Sequence, residues 1–248
     1  DEFNYIKRYQ ELADTDEYKA YATKRLALLY ADRRQYDRSA DYWRRVPKIE
    51  GRDDNLKQIL DNWGQFEPVT TQPAGQGATV EYLFRNGTRV NLTAHAIDMN
   101  KLLADVRAYL RSTPQQIRSE RYDIGDIGAR LVQHKQTKYL GKQVASWSQA
   151  LTPRPGHFDR RITLQTPLKT AGAYLLTAKM ADGNTSQIVL WVADLAVAKK
   201  ILANNTLYFV ADAVTGTPVP GARLSFFGYD QRWVERRRDH PGGGYYKV

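Results

Sequence analysis

The side chains of this sequence that could do chemistry start with its four histidines: His95, His134, His157 and His240. No two of them stand at a zinc-binding spacing, and the chain has no cysteine to complete such a site. His157-Phe158-Asp159 could supply half of a charge-relay system, but no Gly-x-Ser-x-Gly turn accompanies it. The preceding loop, Pro153–Gly156, favours a packed or hydrogen-bonded turn residue instead. Calcium and phosphate loops are also missing from the sequence. We therefore predict no enzyme activity, no metal and no cofactor.

The basic residues could bind a polyanion, because the formal net charge is +10. The candidate contacts lie in one stretch and comprise Arg232, Trp233, Arg236, Arg237 and Arg238. A tryptophan among arginines could stack on a base. Elsewhere the basic residues are scattered among acidic ones, and no nucleic-acid-binding signature is present. The pattern favours a solvated surface loop over a polyanion site and does not favour nucleic acid as a partner.

Length and composition indicate a globular protein of one large or two to three small domains. The chain has 248 residues, of which 42% are hydrophobic and 11% aromatic. No apolar run approaches the ~20 residues of a membrane span. The absence of cysteine excludes disulfides but leaves a periplasmic or secreted location open. Since the first residues show neither a starting Met nor a signal peptide, we expect a processed product or a piece of something longer.

Residues 1–50 are predicted to be helical. Helices are expected around Tyr5–Leu12, over Tyr18–Ala31 and over Tyr36–Arg45, with capping and turn residues between them. The small and aromatic residues of the last two resemble a tetratricopeptide helix pair. Because a solenoid of such repeats needs about three units, we expect either that preceding repeats were cut away or that this pair packs against the neighbouring domain as a cap.

Residues 51–77 are predicted to be a linker that carries a short helix. A polar connector precedes Asn55–Trp63, whose apolar residues fall on one helical face. Two prolines and two glycines then follow within Pro68–Gly77, a composition typical of a loop.

A first β-sandwich is predicted over residues 78–194. Thr79–Phe84 and Arg89–Ile97 flank Asn86-Gly87, the preferred residue pair of a type I′ hairpin turn. A helix that starts near Asp98 begins an insertion reaching to about residue 138.

Three further segments complete the first sandwich. Strands are expected over Tyr139–Leu151 and Arg161–Leu168, and a hairpin over 173–192. The hairpin turns at Asp182-Gly183, where we expect the glycine to adopt a positive φ. The resulting count of about six strands suits an aligned sandwich.

A second, truncated sandwich is predicted over residues 195–248. Leu207–Val210 and Ala222–Phe227 alternate as strands around a turn at Thr215–Pro218. A sheet that ended at Val248 would expose an unpaired edge, so we expect the native polypeptide to continue.

The residues around these two sandwiches resemble a known family. Thr215-Gly216-Thr217-Pro218-Val219-Pro220-Gly221-Ala222 looks like the T-G-x-P-V-x-x-A turn of macroglobulin-type Ig-like domains. Gly172-x-Tyr174 and Trp191-Val192-Ala193-Asp194 look like the end of such a domain. Over roughly residues 140–228 the chain resembles the N-terminal part of bacterial α2-macroglobulin-like proteins. The family-motif residues, all structural, are Gly172, Tyr174, Trp191, Asp194, Thr215, Gly216, Pro218 and Ala222.

The resemblance implies an α+β fold. An N-terminal α-helical hairpin would precede an Ig-like, macroglobulin-type β-sandwich with a helical insertion and the start of a second sandwich. It also implies a non-catalytic scaffold segment of an extracytoplasmic protein that traps or inhibits proteases. Its partners would be other domains of the same longer chain, and proteases. The family's Cys-x-Glu-Gln thioester cannot lie in this chain, which has no cysteine.

Two other functions stay open at this point. A secreted or cell-surface Ig-like module could bind a protein or glycan through its loops. Polyanion binding through residues 232–238 is the third reading, and it predicts binding that falls steeply with added salt.

Overall fold

The structure is a computed structural model, and it describes residues 2–15, 17–48, 51–114, 118–234 and 245–247. The helices are α1 (Glu2–Ala13), α2 (Lys19–Asp32), α3 (Tyr36–Arg45), α4 (Arg52–Leu60), α5 (Met99–Arg111), α6 (Ser119–Tyr122) and α7 (Ile127–Val132). The first strands are β1 (Trp63–Phe66), β2 (Gln72–Pro73), β3 (Thr79–Arg85), β4 (Arg89–Ile97), β5 (Leu140–Ala150) and β6 (Arg160–Gln165). The later strands are β7 (Gly172–Met180), β8 (Thr185–Ala193), β9 (Leu195–Ile201), β10 (Thr206–Asp212), β11 (Arg232–Val234) and β12 (Tyr245–Lys247). The predicted α+β fold class is confirmed.

The N-terminal helices pack through small residues. Ala27 of α2 faces Ala40 and Trp43 of α3, and all three are buried in one cluster with residues of α4. The buried hydroxyl of Ser39 on α3 donates to the carbonyl of Ala27 on α2 over 2.8 Å. This short contact requires a small side chain at position 39. The predicted helices of this region are confirmed, because their apolar spacing is local information.

Two sheets form the centre of the molecule. One has the strand order β1-β3-β6, and the other has the order β2-β8-β7-β4-β5. Their facing sides bury one apolar cluster that includes Tyr82 and Phe84 from the first sheet and Leu92, Leu176 and Met180 from the second. The two layers make a sandwich, as aligned sheets with alternating apolar faces do.

Part of the predicted linker belongs to this sandwich. β1 pairs antiparallel with β3, and β2 pairs parallel with β8. The side chain of Asn184 accepts from the Gly64 N–H over 2.8 Å and donates to the Gly64 carbonyl over 2.9 Å, which holds β1 against β8. Residues 51–60 of the linker prediction, with helix α4, precede the sheets, whereas residues 63–66 and 72–73 form β1 and β2. Strands of four and two residues carry too little alternation to be recognised in the sequence.

The predicted hairpin at Asn86-Gly87 is wrong. Its two strands, β3 and β4, lie in different sheets and face each other across the core. Asn86 takes a φ of 62°, and the Gly87 N–H donates to the Arg85 carbonyl over 2.7 Å. A Cβ on Gly87 would come within 2.1 Å of the Met180 sulfur, so glycine is needed there for close packing. The alternation of apolar residues in β4 matches its buried side, but it does not show which strand lies beside β4.

The second predicted hairpin is confirmed. β7 and β8 pair antiparallel from Gly172 opposite Val192 to Lys179 opposite Thr185. The positive φ falls on Asp182 (52°) and not on Gly183 as expected. Gly183 instead lies against backbone, because a Cβ there would be 2.2 Å from the Asn62 carbonyl oxygen.

The helical insertion covers the outer face of the larger sheet. Leu102 and Val106 of α5 and Ile127 of α7 pack on Ala173 and Leu175 of β7. β7 is therefore buried on both faces, which explains its nearly continuous apolar sequence. α5 starts where the Asp98 carboxylate accepts from the Lys101 N–H over 3.0 Å, as the sequence predicted.

The helical pair docks on the sandwich through the short 3-10 helix Pro155–His157. Rings of Tyr36 and Phe158 meet edge to face with centroids 5.2 Å apart. The Nε2 of His157 lies 3.2 Å from an Asp37 carboxylate oxygen, and its Nδ1 lies 2.8 Å from the Asn86 amide oxygen. The helical insertion takes no part in these contacts.

Candidate functional site

The β9–β10 hairpin follows directly on the sandwich. One residue, Asp194, separates β8 from β9, and its carbonyl accepts from the Ala213 N–H over 2.8 Å. The hairpin pairs antiparallel from Leu195 opposite Asp212 to Ile201 opposite Thr206. In the described residues this sheet has only these two strands, and the outer edge of β10 carries a single β-bridge, between Ala211 and Pro218.

Apolar side chains of this hairpin are exposed on both of its faces. Val197 lies opposite Val210, whereas Phe209 lies opposite Ala198, and successive pairs point to opposite faces. The exposed fractions are 53% for Val197 and 46% for Phe209. Leu195, Ile201 and Leu207 are exposed as well. Such a pattern is typical of strands that another layer covers on each side.

The turn after β10 is built around Asp212, a residue that the sequence analysis missed. Its carboxylate accepts from the Thr215 N–H (2.8 Å), the Thr215 hydroxyl (3.0 Å) and the Val214 N–H (3.0 Å). These bonds, from Thr215 first, lower the pKa of Asp212 below its usual value. Gly216 takes a φ of 71°, which explains the glycine of the motif. The spacing Asp-x-x-Thr before a Gly is the signal that could have predicted this turn.

The remaining family-motif residues lie in two places. Gly172, Tyr174 and Trp191 belong to β7 and β8, where the Tyr174 hydroxyl donates to the Thr170 carbonyl over 2.8 Å. Burial raises the pKa of this hydroxyl. Pro218 forms an isolated antiparallel β-bridge with Ala211 of β10. The last motif residue, Ala222, is exposed in an irregular segment. Asp194 stands at the junction between the two groups.

An aromatic segment connects the hairpin with the helical insertion. The ring of Phe226 lies 5.0 Å from that of Tyr208 on β10, and Tyr229 meets Tyr122 of α6 at 5.8 Å. Phe227 lies under the guanidinium groups of two arginines of α5, Arg107 at 5.9 Å and Arg111 at 5.7 Å. Burial and the Tyr122 contact raise the pKa of Tyr229.

The proposed polyanion contacts are described only in part. Arg232 and Trp233 lie on β11, which pairs with β12, and both side chains are exposed. The other three, Arg236, Arg237 and Arg238, lie outside the described residues.

The histidine singled out in the sequence lies where the N-terminal helices meet the sandwich. His157 contacts Asn86 and Asp37, while Asp159 pairs with Arg85 at 3.3 Å. The predicted role of His157 as a hydrogen-bonded turn residue is confirmed. Across the described part of the chain, no group of three or more His, Asp or Glu side chains could hold a metal ion. Within the same ranges, no helix is long and apolar enough to span a membrane.

Comparisons with solved structures find fragments and whole chains of bacterial alpha-2-macroglobulins. Native alpha-2-macroglobulin from Escherichia coli spanning domains MG0-NIE-MG1 is 15% identical, with a TM-score of 0.42 over 64% of this chain and 48% of that one. The NIE-MG1 fragment of the same protein is 16% identical, with a TM-score of 0.40 over 64% and 74%. The native conformation of the E. coli protein is 14% identical, with a TM-score of 0.38 over 64% and 10%.

These likenesses concern the fold alone. The chain spans about half the length of the MG0-NIE-MG1 fragment. Neither the family models nor the curated proteins compared with the sequence match it. The architecture itself is a set of helices followed by mixed β-sheets.

Proposed function

We propose that this chain is a structural scaffold segment of an α2-macroglobulin-like protein, without catalytic activity of its own. The observation that carries the proposal is the exposure of apolar side chains on both faces of the β9–β10 hairpin. A two-stranded hairpin is at best marginally stable in water, and exposed apolar faces of this kind mark interaction sites. The hairpin is therefore where the segment joins the next part of the scaffold.

The occupant we propose is further β-structure of the same polypeptide. Asp194 is the single residue between β8 and β9, and its carbonyl accepts a hydrogen bond from the Ala213 N–H at the base of the hairpin. A hairpin joined to the sandwich by a single residue suits a contact between consecutive domains better than capture of a mobile ligand. The macroglobulin-type motifs support extending the proposal to the whole protein, which would be extracytoplasmic and would trap or inhibit proteases.

Hydrogen exchange tests the scaffold proposal. In a longer polypeptide that contains these residues, amides of Leu195–Ile201 and Thr206–Asp212 should exchange about tenfold more slowly, or slower still, than in the 248-residue chain. Amides of β7, already buried on both faces, serve as the internal control and should not change. Equal exchange of the hairpin in both polypeptides would contradict the proposal.

A matched pair of substitutions tests the same contact. Val197→Glu places a charge on an exposed apolar face of β9, and Asn204→Glu places one in the loop beyond it. In the 248-residue chain both should alter stability little, since surface changes stay within about 0.5 kcal/mol. In the longer polypeptide only Val197→Glu should lower the melting temperature.

Retention of an active protease by that polypeptide after cleavage would separately test trapping.

A further inference from the structure

A basic cavity lies between the helical insertion and the start of β5. Its volume is about 490 Å³, within the usual range of ligand sites. Residues of α5, α6, α7 and the segment 136–139 line it. Three of the lining side chains are cationic (Arg121, Arg130 and Lys138), and one is a carboxylate (Asp105). The cavity thus carries a formal excess of positive charge.

Arg130 is the centre of this site, because it is a guanidinium with only 1% of its surface exposed. It donates to the Gln136 side-chain oxygen over 3.1 Å, to the Asp123 carbonyl over 3.4 Å and to the Tyr139 hydroxyl over 3.2 Å. All three acceptors are neutral. None of the ion pairs that form among the described residues includes Arg130. A buried cation without a counter-charge is costly, so this site favours an anion.

The carboxylate that lines the cavity, that of Asp105, already has partners within the protein. Asp105 accepts from the Tyr139 hydroxyl over 2.9 Å and pairs with Lys138. It compensates Lys138 directly but reaches Arg130 only through Tyr139. The charge of Arg121 is not compensated by any carboxylate that lines the cavity.

Aromatic rings hold the cations in place. Arg130 lies over the Tyr139 ring at 5.2 Å, Lys138 over the same ring at 4.8 Å, and Arg121 over the Tyr109 ring at 5.0 Å. These contacts restrict the side chains before any ligand arrives, which lowers the entropy cost of binding. Guanidinium groups are well suited to the oxygens of a phosphate or a similar oxyanion.

We propose that this cavity binds a phosphate group, either free phosphate or the phosphate of a monoester. The site lies on the helical insertion, no residue of the β9–β10 hairpin lines it, and the proposal does not depend on the scaffold role. Arg130 and Arg121 bind the oxyanion, Lys138 contributes charge, and Asp105 limits the affinity because it repels the ligand.

The test is a titration of the 248-residue chain at constant ionic strength, followed through the Arg130 side-chain Nε–H signal in ¹⁵N NMR. Inorganic phosphate and phenyl phosphate are the probes, and sodium chloride replaces them in the blank. Saturable shifts are expected with phosphate. Tighter binding of phenyl phosphate would assign the site to a monoester, and equal binding would assign it to free phosphate.

Three substitutions make the test specific. Arg121→Gln, at an exposed position, should weaken phosphate binding about tenfold through loss of a charge-assisted contact. Asp105→Asn should strengthen it by about threefold, because the repelling carboxylate is gone. Arg89→Gln, on the exposed side of β4, removes the same charge elsewhere and should leave the affinity unchanged.

No saturable binding by the unaltered chain, equal losses in Arg121→Gln and Arg89→Gln, or weaker binding by Asp105→Asn would each overturn the proposal.

Discussion

Tyr82 shows how a single buried residue affects the stability of the sandwich core. Its ring meets Phe66 edge to face at 5.4 Å and is fully buried. Among the described residues its hydroxyl has no hydrogen-bond partner, and burial raises its pKa to about 12. Gly64 lies directly above, where a Cβ would come within 2.0 Å of the hydroxyl oxygen. Burial of this hydroxyl without a partner therefore lowers the free energy of unfolding.

Removing that hydroxyl should stabilise the protein. Tyr82→Phe keeps the ring and eliminates a buried group without a partner, so the free energy of unfolding should rise by about 1 kcal/mol. The matched control is Tyr174→Phe, which removes a hydroxyl that donates to the Thr170 carbonyl and should lower stability by about 1 kcal/mol. Urea denaturation of the two variants measures both effects. A loss of stability in Tyr82→Phe would contradict the assignment.

The Tyr82 hydroxyl also makes the stability of the unaltered protein depend on pH. The folded pKa of Tyr82, about 12, exceeds its ordinary value of 10.0, so the unfolded chain loses this proton first. Stability is then full below pH 10 and falls as the pH rises from 10 toward 12, by up to about 1.4 kcal/mol per pH unit. Tyr82→Phe should lack this part of the alkaline loss.

At the scale of elements, glycines mark where strands approach one another. Gly183 and Asn62 form a parallel bridge between the β7–β8 turn and the start of β1, with the glycine against the Asn62 carbonyl. Asn62 also donates from its side chain to the Ala181 carbonyl over 2.9 Å. The smaller sheet is thus fastened to the turn of the larger one at this point.

A methyl group at this bridge should loosen the contact. Gly183→Ala places a Cβ within 2.2 Å of a backbone oxygen, so we expect a loss of about 1–3 kcal/mol in the free energy of unfolding. Gly228→Ala is the control, because nothing lies within 4 Å of its Cβ position. That variant should stay within about 0.5 kcal/mol. Thermal or chemical denaturation compares them, and equal stabilities would show that the bridge is not tightly packed.

At the scale of the whole molecule, the N-terminal helices and the sandwich are joined by few side chains. Tyr36 and Phe158 supply the aromatic contact, and His157 links Asp37 with Asn86. Asn86 in turn donates to the Ile59 carbonyl over 2.7 Å at the end of α4. The positive φ of Asn86 and the contacts of His157 belong to one joint between the helices and the sheets.

A double-mutant cycle should show this joint directly. Tyr36→Ala and Phe158→Ala each remove one ring, and their coupling energy should be about 0.5–1.5 kcal/mol for an edge-to-face pair. Hydrogen exchange should show faster opening of α2 and α3 in either variant while β7 stays protected. Phe226→Ala provides the control cycle with Tyr36→Ala, since Phe226 packs on Tyr208 instead. Full additivity of Tyr36→Ala and Phe158→Ala would argue against the joint.

The sequence by itself determined where most of the helices and strands lie, and which side of β4 is buried. The three N-terminal helices, the capped start of α5 at Asp98 and the alternating apolar side of β4 followed from spacing alone. These features depend on residues within a few positions of one another, and a local period records them completely.

Tertiary structure decided how those elements are paired. Alternation in β3 and β4 fits a hairpin as well as two layers that face each other, and only packing against Met180 and the partner strands selects the layers. The β1 and β2 strands and the cavity around Arg130 combine groups whose sequence spacing shows no regular period. Their stability comes from burial and hydrogen bonds between distant positions, and that information is absent from any local pattern.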